Sequence, residues 1–481
     1  MAGVPKTKAA GKGEQFLWSM LDGAEHLHDI AAYEQAGGYV QLTAARKVER
    51  KTLIDDIKAS GIRGRGGAGF PTGLKLSFIP NVDKPKYVVC NADESEPCTF
   101  KDREIIERLP HLLIEGCMIA AHAIGAQYAF IYIRGEYLEP FEILRDAAEQ
   151  AKAAGYIGGA GGTPTLIIHR GAGAYICGEE TALLSSLNGY RGQPTLRPPF
   201  PAVSGLYQAP TLVNNVETLA SLPRILEIGA ATFAAAGVQA PGPASGTGTR
   251  VFSLSGHVNK PGNYELTIGT PMHELINEFG GGVLGGRKLK AVIPGGSSSP
   301  VLTAEVAATI AMDYKSMVDA GTMFGSGSVI VVDDRTCMAQ LALRVAEFYK
   351  HESCGKCTPC REGTKWVVDL LARIVGGTGK PGDVDLLYEI NGRIMGKCLC
   401  PLGDAMAMPV RSYIEKYRGD FDRYLEPGFV PPDDSPMKIV AKLAVEHYEH
   451  AKPGVNWMGS LTRAQLGRTG VDAAEKVSAE S

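Results

Sequence analysis

The chain has 481 residues and a formal net charge of −3 at pH 7. A chain of this length is too long for one hydrophobic core, so two to four domains are expected. Apolar residues make up 44% of it and charged residues 21%, which is the composition of an ordinary globular protein. The small net charge gives no bias toward nucleic acid or an anionic membrane surface, so we expect no nucleic-acid partner.

The N-terminal half begins with a polar, lysine-bearing stretch, residues 1–12, that lacks an apolar signal core. We therefore expect these residues to be disordered and the ten cysteines to remain reduced in the cytosol. Residues 15–60 are predicted to be helical. The longest apolar region, 111–133, is interrupted by Glu115 and His122, which indicates a buried helix running into a strand and no direct membrane insertion.

A glycine-rich loop follows at residues 61–73, where Gly64, Gly66 and Gly69 satisfy the pattern G-x-G-x-x-G. The dinucleotide fingerprint requires a strand before this pattern, but the preceding segment is predicted to be a helix, so the usual Rossmann assignment does not hold here. Bare glycine backbone still lets a phosphate or a flat ring approach closely, and its N–H groups can hold anions. A merely flexible loop is the alternative. Positive charge comes from Arg63, Arg65 and Lys75.

A short strand, 87–90, leads into an acidic loop at residues 91–97, Asn-Ala-Asp-Glu-Ser-Glu-Pro. Ionised carboxylates only accept hydrogen bonds, so Asp93, Glu94 and Glu96 could bind ribose hydroxyls or ring N–H groups. The alternative is a solvated acidic turn that caps the next helix. Helices are predicted at 104–124 and 141–153, and strands at 128–133 and 165–169. This alternation of strands and helices indicates an α/β domain.

A second glycine-rich turn, residues 171–181, follows a strand and precedes a helix at 182–187. The N-terminus of a helix favours a phosphate through its free N–H groups and its dipole. Glu179 and Glu180 could instead serve only as acids of the first helical turn. The proline-rich segment 191–209 cannot be regular structure and is expected to form a wall of a cleft. Residues 214–218 are predicted to open another helix, which runs to about residue 226.

The pattern changes after residues 234–249, which are almost entirely Ala, Gly, Pro, Ser and Thr and mark a boundary. Residues 250–332 are predicted to form a small α+β unit. Its elements are a hairpin at 251–256 and 262–266, a short helix at 272–279, and strands at 289–293 and 328–332. We expect no chemistry in this unit, including its loop at 295–300.

The strongest chemical signal is the segment 353–363, Ser-Cys-Gly-Lys-Cys-Thr-Pro-Cys-Arg-Glu-Gly, with a further cysteine at Cys400. Three closely spaced thiolates and a distant fourth can hold the corners of a four-iron cluster. Zinc is the main alternative, although structural zinc sites more often pair two C-x-x-C halves, whereas Cys398 and Cys400 form C-x-C. Cysteines that bind no metal are the third possibility.

Helices surround this segment. One is predicted at 337–350, capped by Asp334 or Thr336. Others are predicted at 366–375, 384–395 and 402–417, which indicates a helical bundle that holds the cluster. An amphipathic segment at 437–450 is expected to dock on the body or on a partner.

These features together indicate a protein that converts two-electron into one-electron transfer. Glycine loops and cleft aromatics suit a nucleotide-like ligand. A cubane cluster moves one electron at a time, whereas nicotinamide gives up a hydride, which carries two electrons. A flavin is the cofactor that separates such a pair.

The motifs resemble those of the NADH-binding, 51-kDa-type flavoprotein subunit of respiratory complex I, the F-type subunit of bacterial NADH-quinone oxidoreductase. The resemblance covers roughly residues 15–425 and is carried by six runs: GIRGRGGAGFPTGLK (61–75), CNADESEP (90–97), GAGAYICGEETALL (171–184), PPFPAVSGLY (198–207), NNVETLA (214–220) and SCGKCTPCREG (353–363). It implies that the chain is the electron-input subunit of NADH:quinone oxidoreductase. That enzyme belongs to the respiratory chain and is also an ion translocase. The cofactors it implies are FMN, NAD(H) and a [4Fe-4S] cluster.

The resemblance also implies an α/β multidomain fold. Its parts would be an N-terminal helical segment (1–60), a Rossmann-like FMN/NADH-binding domain (61–240), a ubiquitin-like β-grasp domain of the SLBB type (250–332), a four-helix bundle with the [4Fe-4S] cluster (334–425) and a C-terminal tail (426–481).

Site residues follow from the same resemblance, and no side chain is expected to act covalently. FMN would lie on Gly64, Gly66, Gly67, Lys75, Asn91, Asp93, Glu94, Ser95, Tyr175, Gly178, Glu179, Val213, Asn214, Asn215 and Thr218. The adenine of NADH would lie near Phe70, Phe78 and Phe200, with Glu96 and Glu180 orienting the nucleotide and Arg197 beside them. The cluster would be held by Cys354, Cys357, Cys360 and Cys400.

The implied partners are a thioredoxin-like [2Fe-2S] subunit and a multi-cluster iron–sulfur subunit of the peripheral arm. The implied location is cytoplasmic, peripheral on the cytoplasmic face of the inner membrane through the complex. Two alternatives remain open: a diaphorase subunit of an NAD-linked hydrogenase or formate dehydrogenase, and a non-enzymatic zinc scaffold.

Three positions depart from the family pattern. Cys98 stands where glycine is usual after Glu-Pro, and a side chain there restricts the backbone. Arg197 replaces a common lysine and offers a planar fork in place of a point charge. Cys398 lies two residues before Cys400 and competes with it as a ligand. We expect Cys398 and the other cysteines outside the ligand set to be small buried residues.

Overall fold

The computed structural model describes residues 15–158, 162–237 and 246–429. The expected N-terminal disorder, the amphipathic segment 437–450 and the tail from residue 430 lie outside the described residues. Within those three ranges, no helix has both the length and the apolar character that crossing a membrane requires.

The first part of the chain forms a parallel sheet of four strands in the order β3-β2-β1-β4. β1 lies centrally and is buried along most of its length, as parallel strands covered on both faces are. The chain leaves β1 toward β2 and β3 and then returns to β4 on the other side of β1. This reversal is a topological switch point, where α/β proteins bind ligands beyond the carboxyl ends of the strands. The strands are β1 (Tyr87–Ala92), β2 (Tyr128–Ile133), β3 (Thr165–Arg170) and β4 (Thr211–Asn215).

Helices cover this sheet and precede it. The predictions of helix before the glycine-rich loop, and of helices between the strands, are confirmed. β4 was not predicted, because a five-residue strand that runs directly into a helix leaves little alternation to detect. The helices are α1 (Ile30–Gln35), α2 (Val40–Ala45), α3 (Arg50–Ala59), α4 (Thr72–Ser77), α5 (Lys101–Arg108), α6 (Pro110–Ile124), α7 (Leu138–Ala153), α8 (Glu180–Leu187), α9 (Val216–Ile228) and α10 (Ala230–Ala235).

A second, mixed sheet has the strand order β6-β5-β9-β7-β8. β5 and β6 form the predicted antiparallel hairpin, while β5 and β9 run parallel. Short helices pack on it, and two of them were not predicted because each has at most six residues. The elements are β5 (Thr249–Gly256), β6 (Gly262–Thr267), α11 (Met272–Glu274) with a π-helical extension (Leu275–Phe279), β7 (Leu289–Ile293), β8 (Leu302–Thr303), α12 (Ala304–Ala307), α13 (Tyr314–Asp319) and β9 (Ser328–Asp333).

Four helices complete the described chain: α14 (Met338–Glu352), α15 (Thr358–Arg373), α16 (Asp383–Ile394) and α17 (Leu402–Asp422). Both proposed caps of α14 are wrong. Cys337 occupies the N-cap without a side-chain bond, and the Met338 N–H donates to Asp420 on α17 at 2.8 Å, so the acceptor comes from tertiary structure. α15 begins earlier than predicted, directly after Cys357, with Pro359 in its first turn, where the missing N–H of proline costs nothing.

Buried side chains tie the three parts together. One core cluster joins Val89 of β1, Leu183 of α8, Ile293 of β7, Ala346 of α14 and Leu371 of α15. The bundle therefore packs against the face of the parallel sheet that carries α8, with the second sheet beside it. This packing holds the cysteine segment close to the carboxyl edge of the parallel sheet.

Candidate functional site

Two adjoining cavities open at the switch point between β1 and β4. The larger has a volume of about 1000 Å³, and the deeper one has about 390 Å³. Their common wall consists of loop backbone and of two asparagines at the carboxyl ends of β1 and β4. Its residues are Gly66, Gly67, Ala68, Asn91, Gly178 and Asn215. The structure thus brings together the glycine-rich loop, the acidic loop, the second glycine turn and the Asn214–Asn215 pair.

The glycine-rich loop is held from below by Arg65, which is only 1% exposed. Its backbone N–H donates to Thr218 Oγ1 at 2.8 Å, and its guanidinium donates to the Thr249 carbonyl at 2.9 Å. A side chain at position 66 would crowd Asn215, because a Cβ there would lie 3.1 Å from the Asn215 Cβ. Thr218 therefore supports the loop from beneath and does not line either cavity.

Unpartnered polar atoms indicate what the cavities receive. Asp93 Oδ2 and Asn214 Nδ2 are buried and have no hydrogen-bond partner among the described residues. A buried polar group without a partner costs about 1–3 kcal/mol, so a ligand that carries matching donors and acceptors recovers that cost. The acceptor at Asp93, the donor at Asn214 and the bare backbone at Gly66 fit the ring and phosphate of a flavin mononucleotide.

The three acidic residues of the loop after β1 differ in role. Burial raises the pKa of Asp93 to about 8, although the Arg134 guanidinium lowers it. Glu94 accepts from the backbone N–H groups of Asp102 at 2.8 Å and Arg103 at 2.9 Å, so its carboxylate caps α5. The alternative of a capping turn is right about the cap and wrong about solvation, because Glu94 is buried. Burial raises the pKa of Glu94 to about 7. An oxygen of Asp93 thus remains available to a ligand, while Glu94 supports the loop.

Glu96 lies at the junction of all three parts of the chain. Its carboxylate accepts from the Ser298 N–H at 2.8 Å, the Tyr175 hydroxyl at 2.8 Å and the Ser297 hydroxyl at 3.2 Å. Burial raises its pKa above the ordinary value, against these hydrogen bonds. The loop 295–300, which we expected to be inert, therefore contributes to the deeper cavity. No sequence signal identified Ser297 and Ser298, because only the packing of the second sheet places them there.

Four charged side chains meet beside the larger cavity, and three of them, Lys75, Glu180 and Arg197, line it. Lys75 Nζ lies 3.0 Å from one oxygen of Glu180, and Arg197 lies 2.9 Å from the other. Arg197 also reaches Glu179 at 3.2 Å, so its planar fork spans both acids. Glu179 in addition is the N-cap of α8 and accepts from the Thr181 and Ala182 N–H groups, whereas the acid of the first helical turn is Glu180. Glu180 is left as the acid that faces the cleft.

Aromatic side chains flank the same cavity. Phe70, Phe78 and Phe200 are 45%, 50% and 56% exposed, although large aromatics are usually buried. They line the cleft, as does Val213, and offer faces on which a flat ring can stack. Tyr175 lines the deeper cavity.

Cys98 has a backbone φ of +67°, the left-handed region that favours glycine. A residue other than glycine therefore carries the strain of that conformation. The residue as a whole is exposed, so the expectation of a buried residue is wrong here, although burial of the thiol group raises its pKa.

Four cysteines line a third, small cavity between α14, α15 and α17: Cys354, Cys357, Cys360 and Cys400. They come from two separate segments, and none is in a disulfide. Cys398 does not line this cavity, although hydrogen bonding with it, and with Ser353, lowers the pKa of Cys360. Four convergent thiols fit the ligand set of a cubane cluster. The deeper cavity and the cysteine cavity share Ile176, Cys400 and Leu402 in their walls.

Comparison with known families agrees with this division. Residues 57–224 match the Nuo51 FMN-binding domain, 250–332 match the SLBB domain, and 340–424 match the NADH-ubiquinone oxidoreductase-F iron-sulfur binding region. The fold class is thereby confirmed, as are FMN and the iron–sulfur cluster as cofactors. The zinc alternatives are wrong, because the cysteine region matches an iron–sulfur family.

Individual relatives share most of the chain. The second NADH-quinone oxidoreductase F-type subunit of Rhizobium meliloti (strain 1021) is 50% identical over 405 residues, which cover 83% of this chain and 95% of the relative. The corresponding protein of Rickettsia bellii (strain OSU 85-389) is 46% identical over 86% of this chain and 100% of its own length. That of Mycobacterium tuberculosis (strain ATCC 25618 / H37Rv) is 47% identical over 85% and 92%.

Among solved structures, an NAD+-reducing [NiFe]-hydrogenase in the H2-reduced state matches with a TM-score of 0.76 and 33% identity, over 92% of this chain and 71% of the hydrogenase chain. The same kind of enzyme in the air-oxidised state gives a TM-score of 0.74. The identity to the quinone-linked relatives is higher and their match covers nearly their whole length, so the hydrogenase interpretation is the weaker one. The chain belongs to the family of NADH-quinone oxidoreductase F-type subunits.

Proposed function

We propose that this chain admits electrons to an NADH-quinone oxidoreductase by binding NADH in the larger cavity, beside an FMN held at the switch point. The observation that carries the proposal is the succession of three cavities with common walls: the aromatic cleft, the deeper polar cavity and the cysteine cavity. When bound, FMN supplies the conversion of a hydride into single electrons that a cluster can accept. The side chains bind and orient, and none acts covalently.

The contacts proposed for FMN are best supported where a buried polar atom lacks a hydrogen-bond partner or where glycine leaves the backbone uncovered. Asp93 and Asn214 offer such atoms. Lys75 offers an ammonium for a phosphate in exchange for its ion pair with Glu180. Glu94, Glu179 and Thr218 would act indirectly, because their side chains cap helices or carry the loop. The direct contacts we propose are Gly64, Gly66, Gly67, Lys75, Asn91, Asp93, Ser95, Tyr175, Gly178, Val213, Asn214 and Asn215.

For NADH, the exposed Phe70, Phe78 and Phe200 would stack on the adenine. Glu180 would accept from ribose hydroxyls once it exchanges one of its cationic partners, since both of its oxygens are engaged by Lys75 and Arg197. Glu96 would act beneath the nicotinamide, where its bonds to Tyr175 and Ser298 hold the floor of the deeper cavity.

For the cluster, the proposed ligands are Cys354, Cys357, Cys360 and Cys400. The support is their position around one cavity that excludes Cys398. We further propose the domain limits 1–60, 61–240, 250–332, 334–425 and 426–481, which lie close to the ranges of the three family matches.

The family assignment makes the chain a component of a complex I-type assembly. We propose a thioredoxin-like [2Fe-2S] subunit as its direct partner and a multi-cluster iron–sulfur subunit as the next acceptor. The location we propose is the cytoplasmic face of the inner membrane, reached through the complex.

The test is to copurify the full chain with its [2Fe-2S] partner and to measure reduction of an artificial acceptor by NADH. We expect a flavin absorption band, about four iron atoms at the cysteine site beyond those of the partner, and NADH oxidation. A preparation that takes up no FMN and no iron beyond that of the partner would refute the proposal.

A diaphorase role in a hydrogenase is the second candidate, because two solved structures with the same fold belong to NAD+-reducing [NiFe]-hydrogenases. Copurification decides between the two. Recovery with quinone-reductase subunits supports the first, and recovery with a nickel–iron or formate-oxidising subunit supports the second.

A further inference from the structure

The sulfur of Cys360 has a neighbour that the ligand assignment does not explain. Ser353, at the C-terminal end of α14, places its Oγ 3.1 Å from Cys360 Sγ. The same Oγ accepts from the Gly355 N–H at 3.4 Å. Because that N–H already occupies a lone pair of the hydroxyl oxygen, the hydroxyl proton is free to point at sulfur.

Cys398 supplies a second side chain at the same sulfur. Its thiol donates to the Ile394 carbonyl at 3.7 Å, and hydrogen bonding with Cys398 also lowers the pKa of the Cys360 thiol. Gly403 packs against it so closely that an added Cβ would lie 2.4 Å from Cys398 Sγ, which fixes the position of that sulfur. A negatively charged thiolate attracts the thiol proton more strongly than a neutral carbonyl does.

The cysteines around this cavity differ in the hydrogen bonds that their sulfurs receive. Cys357 receives a backbone bond, from the Leu399 N–H at 3.5 Å. Cys360 is the cysteine approached by two side-chain donors, Ser353 and Cys398. Side-chain donors can be removed by substitution without disturbing the backbone, so their effect on the cluster can be measured.

We propose that Ser353 and Cys398 are positioning residues that raise the reduction potential of the cluster by donating hydrogen bonds to the Cys360 sulfur. A reduced cluster carries one more negative charge than an oxidised one, so donors to its sulfurs stabilise the reduced form more. The two residues thereby favour transfer of an electron from the flavin to this cluster. The inference rests on the proposed ligand set.

The experiment is a redox titration of the full chain in its complex, followed by the EPR signal of the reduced cluster. At the wild-type midpoint potential the ratio of reduced to oxidised cluster is one. At that same potential, we expect Ser353→Ala and Cys398→Ala each to lower the ratio about threefold. The double variant should lower it about tenfold, which for a one-electron couple is a fall in midpoint potential of about 59 mV.

Variants that retain a donor provide the controls. Ser353→Thr and Cys398→Ser should restore most of the ratio. Thr358→Ala removes a hydroxyl of the same segment that faces Arg361 at 3.4 Å, and it should leave the ratio at one. An unchanged midpoint in the double variant, with full iron content, would overturn the inference, as would an equal fall in the Thr358 variant.

The wild-type protein gives a measurement that needs no variant. Fe–S(Cys) stretching bands in the resonance Raman spectrum should shift on transfer to D2O, because the protons bonded to Cys360 sulfur exchange. Bands that do not move would overturn the inference even if the alanine variants fail to assemble. A wild-type complex without this cluster's EPR signal would instead contradict the ligand set on which the inference rests.

Discussion

Arg65 in the glycine-rich loop donates to the Thr249 carbonyl, 2.9 Å away, at the start of the second sheet. The loop proposed to hold FMN lies between α3 and β1 in the chain, and this bond fastens it to the second sheet. The Arg65 guanidinium also lies 3.9 Å from the Glu217 carboxylate, and that carboxylate lies 2.9 Å from the Lys101 ammonium. The shape of the flavin cavity therefore depends on the contact between the two sheets.

Removing the Arg65 side chain should lower both the stability of the protein and its affinity for FMN. We expect Arg65→Ala to lower the free energy of unfolding by about 3–5 kcal/mol, because it leaves buried partners of the guanidinium unpaired. FMN content after purification should fall with it. Urea unfolding and flavin absorbance measure the two effects. Arg145→Gln, at an exposed pair with Asp146, is the control and should change neither.

Asp93 makes the stability of the FMN-free protein depend on pH. Its folded-state pKa of about 8 exceeds the unfolded value of about 3.9, so the unfolded chain ionises first as pH rises. Stability from this group is fully present below pH 4 and is lost progressively up to about pH 8. The neutral side chain of Asp93→Asn cannot ionise.

The advantage of the Asp93→Asn variant over the wild type should therefore grow by about 1.4 kcal/mol per pH unit between those values. Urea unfolding of both proteins at pH 5, 6 and 7 measures it. Arg134 opposes the pKa shift, while Glu136 and Glu352 add to it. A constant difference between the two proteins across this range would contradict the assignment.

Cys98 should be replaceable by glycine with a gain in stability. Its left-handed φ costs a non-glycine residue about 1–2 kcal/mol, and the greater freedom of glycine in the unfolded chain returns about half of that. We expect Cys98→Gly to stabilise the protein by about 0.5–1 kcal/mol in thermal or urea unfolding. Cys98→Ala retains the strained φ, so an equal gain in that variant would show that the thiol, and not the backbone, is the cause.

Glu180 should govern nucleotide binding more than the chemical step. We expect Glu180→Gln to raise the KM for NADH about tenfold while kcat changes less than twofold, since it removes binding present before and during the reaction. Steady-state kinetics with an artificial acceptor measures both constants. Glu389→Gln alters an exposed acid on α16 that pairs with Arg393, and its kinetics should match the wild type. Unchanged kinetics for the Glu180 variant would remove this residue from the site.

The two cysteines of the C-x-C pair should differ in iron binding. Cys400 lines the cysteine cavity and Cys398 does not. We expect Cys400→Ala to lose the four-iron EPR signal and most of the iron at this site. Cys398→Ala should retain the full iron content with a lower midpoint potential. If the iron content followed the opposite order, Cys398 would be the ligand.

The sequence alone determined most of what depends on local chemistry. The cysteine spacing, the glycine loops and the acidic loop are short continuous motifs, and the residue types in them restrict the ligand directly. Strands β1, β2, β7 and β9 were also predicted close to their observed bounds, because their buried apolar runs are bounded by turn residues.

Tertiary packing alone set which side chains of those motifs keep polar atoms without a hydrogen-bond partner in the cavity walls, as Asp93 and Asn214 do. Glu94, Glu179 and Thr218 belong to the motifs, but their side chains bond to helix ends and to the loop backbone. Ser297 and Ser298, some 200 positions along the chain from Glu96, close the deeper cavity against it. Such pairings arise when sheets and helices bury a common core, and contacts between distant segments leave no periodic trace in the sequence.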